Sequence, residues 1–386
     1  MKYAKITIKK DIFLNSLLFY ETFYCLERSL YMKVCGVVVE YNPFHNGHHY
    51  HLQQARLKSQ CDCLIAVMST HFVQRGEPAV AFAKDRVQCA LQHGADIVIE
   101  LPYPYNVQSA DYFAYGAIES LKLMEIDTLV FGSESNDIEQ LQIDAFQSVE
   151  KPTTQSFASS SKGLSNDILA HAYLRAIANT NITPISIQRT NQYHDQSVQH
   201  TISSASAIRK AYFDGQDVSH TTPMHEHLIP LNWEHYYPYL RSLLCTHRPQ
   251  QLSQLFLCDE GIEYLLIKNA QKYANYHDFL NACTSSKYTK SRIQRCLVHI
   301  LAQCSKEEAN ACPIDCVRVL GFNDIGRKYL SQLRHQKIAV KFAQLSPWRQ
   351  ALALAQAHAY GIGLNETQRK ELLKWESSSA FYLSSL

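Results

Sequence analysis

Short apolar runs alternate with longer amphipathic stretches through the first half of the chain. The runs are Val34–Glu40, Leu64–Met68, Ile97–Leu101, Thr128–Phe131 and Ile185–Gln188. The stretches with apolar residues at helical spacing include Asp85–His93, Ala110–Met124 and Asn166–Ala178. Short buried runs are typical of parallel strands, and the stretches between them are typical of covering helices. The alternation predicts an α/β fold with a Rossmann-like parallel sheet of these runs and right-handed crossovers.

The second half of the chain has a different pattern. Beyond about residue 218 the strand signal fades, and amphipathic stretches follow at His225–Cys245, Gln250–Tyr273 and Arg292–Cys304. These stretches predict a mostly α-helical C-terminal domain. The turn-rich segment Asp214–Pro223 separates the two patterns. We therefore expect one domain at residues 32–218 and a second at residues 219–386.

Composition narrows the class of protein. The 386-residue chain has room for two domains of ordinary size, and no segment approaches the roughly 20 consecutive apolar residues that span a bilayer. A formal net charge of +2 means that any nucleic-acid partner must bind a local patch. Twelve cysteines without a CxxC pair indicate reduced thiols in a cytoplasmic protein. Neither a membrane nor an obligate protein partner is expected.

Residues 1–31 differ from the rest of the chain. Lys9, Lys10 and the apolar Phe13–Tyr20 imitate a signal peptide, but acidic residues follow at once and no small-residue cleavage site appears. The codons for Glu27–Ser29 can contain a ribosome-binding sequence at a suitable distance upstream of Met32. We therefore expect translation to start at Met32 and residues 1–31 to be a non-native extension.

The residues after the first run carry the strongest chemical signal. Asn42–His48 contains the pattern HxGH at His45–His48, between a predicted strand and a predicted helix. Ligands of open parallel sheets collect beyond the carboxyl ends of the strands. Gly47 allows a close backbone approach, and a helix N-terminus offers N–H groups to phosphate oxygens. This context is typical of nucleotidyltransferases, in which His45 and His48 would donate hydrogen bonds to developing charge.

Two other interpretations of these imidazoles stay open. They can be residues of a surface turn, or His45, His48, His49 and His51 can be zinc ligands. No HExxH motif and no Cys/His ligand spacing accompanies them, which disfavours zinc.

A second signal lies at Ile202–Arg209, which has the pattern ISSxxxR found in adenylyl-transferring enzymes. Ser203 and Ser204 precede a predicted helix that presents Arg209 from its first turns. Two serines before a helix are usually a cap, so the segment gains its meaning from the HxGH pattern. Adenylation of a carboxylate needs only positioning and charge neutralisation. We take His45, His48 and Arg209 as catalytic candidates, with Mg²⁺ held mainly by the phosphates.

Two further clusters of polar residues are candidates for a functional role. His71, Gln74, Arg75 and Glu77 follow the second run, where an acid substrate or an incoming base can be held; the alternative is a solvated loop.

The densest basic patch lies in the second half. It comprises Lys287, Tyr288, Lys290, Arg292 and Arg295, with Arg318, Arg327 and Lys328 as its extension. Such patches are usually solvated helix faces, but cations and aromatic rings also bind single-stranded RNA loops.

Five segments resemble the tRNA(Met) cytidine acetate ligases, a family of HxGH nucleotidyltransferases. They are Gly36–His48, His71–Ala79, Glu100–Pro102, Lys287–Arg295 and Arg318–Asn323, so the similarity runs from about Met32 to the C-terminus. The resemblance implies that residues 32–218 bind ATP and activate acetate as acetyl-adenylate. It implies that residues 219–386 bind elongator tRNA(Met), whose wobble cytidine accepts the acetyl group on its exocyclic amine to give N4-acetylcytidine.

The resemblance also implies ATP-binding residues. They are Val38, Val39, Glu40, Tyr41, Asn42, Pro43, Phe44, His45, Asn46, Gly47, His48, His49, Tyr50 and His51, followed by Gly132, Asn166 and Arg189. Ser203 and Ser204 join them through the second signal. The chain departs from the family pattern at Ser69–Phe72, where glycine is common at the second position, and at Leu164–Ala170.

Two functions compete with this one. A small-molecule nucleotidyltransferase that forms an adenylylated cofactor would share both phosphate motifs, but would not need the large helical half. An RNA-binding protein with a regulatory nucleotide site would not need His45, Gly47, His48 and Arg209 together. Pyrophosphate release and labelling of tRNA distinguish the three hypotheses.

Overall fold

A mostly parallel sheet forms the centre of the protein. The computed structural model describes residues 32–147, 165–188, 201–333 and 337–384. The strands of the first half are β1 (Val34–Val39), β2 (Cys63–Met68), β3 (Ile97–Glu100), β4 (Thr128–Ser133) and β5 (Thr183–Gln188). They pair in parallel in the order β5-β4-β1-β2-β3. The predicted α/β fold and its five parallel strands are confirmed.

The strand order places a crevice beside β1. The chain runs from β1 to β2 and β3 on one side, and then returns to β4 and β5 on the other. The carboxyl ends of β1 and β4 therefore lie at a topological switch point, where loops leave in opposite directions. The HxGH turn follows β1 directly, so it lies at the position where such sheets bind ligands.

The second half adds strands that the sequence pattern did not predict. These are β6 (Val317–Phe322), β7 (Ile338–Ala339) and β8 (Phe381–Tyr382). The strand β6 pairs antiparallel with β3, and both β7 and β8 pair with β6 in parallel. The second half is mostly helical, as expected, and it also adds these strands to the sheet.

Helices of the first half cover the sheet. They are α1 (Asn46–Ser59), α2 (Ala83–Gln92), α3 (Ala110–Lys122), α4 (Ile138–Gln147), α5 (Ser165–Ile177) and α6 (Ala205–Phe213). The predicted helices at residues 85–93, 110–124 and 166–178 correspond to α2, α3 and α5. Their apolar faces pack on strands that are buried along almost their whole length in β1, β2 and β3.

Helices dominate the second half. They are α7 (Trp233–Thr246), α8 (Pro249–Leu252), α9 (Ile262–Lys272), α10 (Tyr276–Cys283), α11 (Lys290–Leu301), α12 (Lys306–Asn310), α13 (Asp324–Leu330), α14 (Pro347–Gly361) and α15 (Glu366–Glu376). Short 3₁₀ helices occupy His225–His227 and Phe342–Gln344. Two predicted helices prove to be interrupted. Residues 228–232 separate the first 3₁₀ helix from α7, and left-handed backbone at Leu257, Glu260 and Gly261 separates α8 from α9.

The two halves share a hydrophobic core. Phe72, Ala79, Tyr103 and Val107 from the first half are buried among the side chains of the second-half helices. Residues 34–386 accordingly form one compact unit. The division at residue 218 stays a prediction about function. No helix within the described ranges is long and apolar enough to cross a membrane.

Candidate active site

His45 and His48 form the N-terminal cap of α1. His45 precedes the helix in extended backbone, and its Nδ1 accepts a hydrogen bond from the Gly47 N–H at 3.0 Å. In return, the His45 N–H donates to Nδ1 of His48 at 3.3 Å. The two rings lie 3.8 Å apart, centroid to centroid, with an angle of 30° between their planes. Histidine takes the place that serine and glutamate fill in an ordinary capping box.

These hydrogen bonds select one tautomer for each ring. Because both Nδ1 atoms accept backbone N–H groups, a neutral ring carries its proton on Nε2. His45 and His48 thus present two Nε2–H donors on adjacent, nearly parallel rings. Two such donors at a helix N-terminus suit the oxygens of a phosphate chain.

Aromatic packing fixes the position of this pair. The ring of Tyr41 meets that of His48 edge-on at 4.9 Å, and Phe44 lies 5.8 Å from His48. Tyr41 is buried and has a left-handed backbone with φ of 50°, an unfavourable conformation for a bulky residue. Burial also raises the pKa of its hydroxyl. The chain therefore accepts local strain to support the imidazoles.

Gly47 has a role that the sequence did not reveal. A Cβ atom at this position would lie 2.8 Å from Cε1 and 3.0 Å from Nδ1 of His45. Carbon atoms in ordinary contact are at least 3.4 Å apart. The glycine is required because the His45 ring folds back over the first turn of α1.

Arg209 reaches the same turn from α6. Its Nη1 donates to the Asn42 carbonyl at 2.7 Å, and its Nη2 pairs with Glu77 Oε2 at 2.6 Å. Asn42 is itself buried, with Oδ1 accepting from the Val80 N–H at 2.8 Å. Three segments that are distant in sequence therefore meet at one guanidinium. Glu77, from the polar loop after β2, thus contacts a residue of the candidate site.

Arg86 is a structural residue of the site that sequence reasoning missed. It is fully buried in α2 and donates to the carbonyls of Glu40 at 2.7 Å, Ser69 at 2.8 Å and Ala81 at 3.1 Å, with a further short contact to Thr70. Burial lowers the pKa of Arg86 to about 10, so the guanidinium stays charged at neutral pH. It ties together the carboxyl ends of β1 and β2. The sequence did contain one sign of this buried role, namely an arginine on the apolar face of a predicted helix.

Residues near the predicted domain boundary also support the turn. The Asn46 side chain donates to the carbonyls of Thr201 and His220 at 2.8 and 3.0 Å. Thr222, fully buried, donates to the Phe44 carbonyl at 2.6 Å. The segment around residue 220 therefore belongs structurally to the site.

Known proteins match the chain over most of its length. A model of the HIGH Nucleotidyl Transferase family matches residues 32–164 and 144–372. A relative from Anoxybacillus flavithermus, named tRNA(Met) cytidine acetate ligase, is 38% identical over 349 aligned residues, which cover 78% of this chain and 87% of the relative. The chain belongs to the tRNA(Met) cytidine acetate ligase family. The resemblance seen in the sequence is confirmed.

Further relatives of this family agree. The Bacillus subtilis protein of the same name is 32% identical over 394 aligned residues, covering 88% of this chain and 94% of that one. The crystal structure of Thermotoga maritima TmcAL in its apo form has a TM-score of 0.81 at 30% identity and covers 92% of this chain and 100% of its own. A second structure of TmcAL, bound with alpha-thio ATP, has a TM-score of 0.78 at the same identity and coverage.

The other residues that the family resemblance assigns to ATP lie at the ends of neighbouring elements. Gly132 lies in β4, beside β1. Ser204, a candidate from the ISSxxxR pattern, caps α6 by accepting from the Ala207 N–H at 3.2 Å. Asn166, in the first turn of α5, donates to Glu134 through both its backbone and its side chain. Arg189 lies outside the described residues. The assignment of these residues to ATP stays a prediction.

His71 and Arg318 have structural positions that differ from the expectation. Arg318 was expected to extend the basic patch, but it is 4% exposed and contacts both Glu376 and Glu100. His71, 2% exposed, pairs with the other oxygen of Glu376 at 2.9 Å. Burial forces these charges to pair, so they anchor α15 to the sheet. The expected role of Arg318 in the basic patch is therefore wrong.

The basic patch at the start of α11 is only partly open to solvent. Lys290 is exposed at the first residue of the helix, whereas Arg292 pairs with Asp259 at 2.8 Å and with Glu260 at 3.3 Å. Tyr288 is buried, and its hydroxyl donates to the Glu260 carbonyl at 2.5 Å. Stacking on an RNA base would require this ring to leave its position.

The patch is joined to the active site by close packing. Gly76, in the loop after β2, has φ of 80°, and an added Cβ would lie 2.6 Å from the backbone N of Arg295. The loop that carries Glu77 therefore rests directly on α11. Lys287 also contributes to this face, with its ammonium 4.9 Å from the Tyr288 ring centre and donating to the Glu260 carbonyl.

Within the described ranges, no group of three or more His, Cys, Asp or Glu side chains is arranged to hold a metal ion. His49, one of the imidazoles considered for zinc, instead contacts Gln53 at 2.8 Å.

Proposed function

We propose that this chain is an ATP-dependent ligase that acetylates the wobble cytidine of elongator tRNA(Met). Acetate and ATP give acetyl-adenylate and pyrophosphate, and the acetyl group then passes to the exocyclic amine to give N4-acetylcytidine. The observation that carries the proposal is the pair of imidazoles that cap α1, with Arg209 bound to Asn42 of the same turn, in a chain 38% identical to a relative of that name.

In the first step, an acetate oxygen attacks the α-phosphorus of ATP and pyrophosphate leaves. His45 and His48 donate from Nε2 to phosphate oxygens, and the N-terminus of α1 adds its partial positive charge. Arg209 places a further cation beside the turn, oriented by Asn42 and Glu77. The protein supplies position and charge, and no protein nucleophile is needed.

Magnesium fits this site as an ion carried by the nucleotide. Mg²⁺ usually keeps several waters and binds phosphate oxygens together with one or two carboxylates. In this proposal the ion is held mainly by the phosphates of the nucleotide. The ion would neutralise charge on the leaving pyrophosphate.

In the second step, the cytidine amine attacks the acetyl carbonyl, and AMP leaves with the bonding electrons of the acyl–oxygen bond. Lys290, together with Lys287 and Arg295, supplies cations near the site for the phosphates of the anticodon arm. The wobble base lies in a single-stranded loop, so no duplex has to be opened.

Purified protein incubated with ATP, labelled acetate and tRNA tests the proposal. Labelling of tRNA that depends on ATP, with pyrophosphate release that depends on acetate, is expected. Pyrophosphate release indifferent to both acetate and tRNA would instead indicate a small-molecule nucleotidyltransferase. The absence of any turnover would contradict both enzymes and favour an RNA-binding protein.

A further inference from the structure

An open cleft with a volume of about 200 Å³ lies between the active site and the second-half helices. Its walls include Glu77 and Arg209 on the sheet side, and Asn232, Trp233, Tyr276 and Gln294 on the helical side. We propose that this cleft, called the acceptor cleft, receives the cytosine base that is acetylated. This inference rests on the proposed function and gives its second substrate a location.

The acceptor cleft and the ATP site share Arg209. The guanidinium lines the cleft and also donates to the carbonyl of Asn42, three residues before His45. A base in the cleft therefore lies beside the turn that is proposed to hold the phosphates. Acyl transfer requires such proximity, because the amine must reach the carbonyl while the adenylate is still bound.

The helical wall of the cleft has the character of a base-binding surface. The rings of Trp233 and Tyr276 lie 5.5 Å apart with an angle of 16° between their planes. Both residues are more than nine-tenths buried, and the Tyr276 hydroxyl interacts with the Gln294 side chain, whereas the Trp233 Nε1–H has no hydrogen-bond partner within the described ranges. Buried polar groups are normally paired, so an unpaired indole N–H in the wall of a cleft indicates a ligand.

The polar groups of the cleft match the edge of cytosine. Cytosine offers an amine donor at N4 and acceptors at N3 and O2. Gln294 supplies an amide donor, and its proximity to Tyr276 opposes the rise that burial causes in the pKa of that hydroxyl. Glu77 has Oε2 on Arg209, while its Oε1 accepts no hydrogen bond from the described residues and can accept from N4.

Charge disfavours an anionic small molecule as the occupant. Both Glu77 and Glu234 line the cleft, and the two oxygens of Glu234 accept the N–H groups of Tyr276 and His277 at 3.1 and 3.2 Å. Together with Arg209 they give the lining a formal charge of −1, which disfavours an anion but tolerates a neutral base that carries an amine donor.

Cations surround the cleft on the side of α11. Arg295, the residue after Gln294, is near both Arg75 and Arg292, and burial together with these two cations lowers its pKa to about 10. These arginines give that side of the cleft a positive local potential. The phosphates that flank the acceptor nucleotide are suitable anions, whereas the base itself enters the less charged cleft.

Gln294→Leu and Trp233→Phe test the cleft without touching the residues proposed to bind ATP. Acetate-dependent ATP–pyrophosphate exchange, measured without RNA, is expected to stay within about twofold of the unmodified chain, which also shows that the variants fold. The kcat/KM for acetyl transfer to tRNA(Met) is expected to fall about tenfold or more through loss of a substrate hydrogen bond. Gln271→Leu, a change at an exposed glutamine of α9, serves as the matched control and is expected to alter neither rate.

A competition measurement makes the test specific for the base. Transcripts with cytidine or uridine at the wobble position compete with tRNA(Met), and the preference of the unmodified chain for cytidine is expected to narrow in Gln294→Leu. Unchanged transfer and unchanged preference in both variants would overturn the acceptor cleft while the proposed function stands. Parallel loss of exchange and transfer would also overturn it. Failure of the unmodified chain to label tRNA would overturn the proposed function itself.

Discussion

Gly47→Ala should damage catalysis while leaving the fold intact. The new Cβ would begin 2.8 Å from Cε1 of His45, against at least 3.4 Å in ordinary contact, so the ring must retreat by about 0.6 Å. The neighbouring His48 ring, 3.8 Å away, limits that movement. Because a misplacement of about 1 Å can cost about 100-fold in rate, we expect adenylation to fall roughly tenfold to 100-fold.

We expect the same substitution to change the free energy of unfolding little, or to raise it slightly. Gly47 lies in the first turn of α1 outside the left-handed region, where alanine is favoured over glycine by about 0.5–1 kcal/mol. This gain offsets part of the strain that the displaced ring introduces. Urea unfolding should therefore give a free energy of unfolding within about 1 kcal/mol of the unmodified chain.

Acetate-dependent ATP–pyrophosphate exchange is the assay for the catalytic effect. Gly361→Ala is the matched control, since that glycine also lies in a helix, and its added Cβ would meet the flexible Arg369 side chain at 3.2 Å and Leu372 at an ordinary contact distance of 3.6 Å. We expect the control to leave exchange unchanged. Full exchange activity in Gly47→Ala would refute the argument that the position of His45 decides the rate.

Three other changes test separate parts of the structure. Burial raises the pKa of Glu376, but neighbouring cations, Arg318 foremost, more than offset this and lower it to about 2. Glu376→Gln should therefore cost about 3–5 kcal/mol at neutral pH. Because the native pKa of Glu376 lies below the unfolded value of 4.5, the variant and the unmodified chain should become more alike in free energy of unfolding as the pH falls from 4.5 towards 2. Urea titrations at each pH measure this difference. Arg209→Lys should lower exchange about 100-fold, because an ammonium cannot contact both Asn42 and Glu77 as the guanidinium fork does. Lys290→Ala should raise the KM for tRNA and reduce the slope of affinity against salt by about one, with exchange unchanged.

The sequence was sufficient for the elements whose pattern is local. The five parallel strands and the position of the HxGH turn after β1 follow from short buried runs and a strand-turn-helix context. The strand β6 escaped prediction because Arg318 interrupts its apolar run, and that arginine is buried only through pairing with Glu100 and Glu376. Local pattern carries no information about partners that lie 58 or 218 residues away.

The candidate site was predictable in its residue types and less so in its contacts. His45, His48 and Arg209 were identified from motif spacing, but the reciprocal capping through Nδ1 depends on ring orientation. In the sequence Arg86 resembles an ordinary helix residue, and only the structure shows its four carbonyl partners. The sequence suggests an exposed aromatic ring at Tyr288, although its hydroxyl donates a hydrogen bond to the Glu260 carbonyl.

The contact of Gly76 with α11 has a mechanical consequence. Since the loop backbone rests on the helix backbone with no side chain between them, neither can shift by much without displacing the other. A tRNA that presses on the amino end of α11 would therefore push the segment that holds Glu77, and through it Arg209. In the proposed reaction, binding of the acceptor to α11 would thereby be transmitted to Arg209, beside the proposed ATP site.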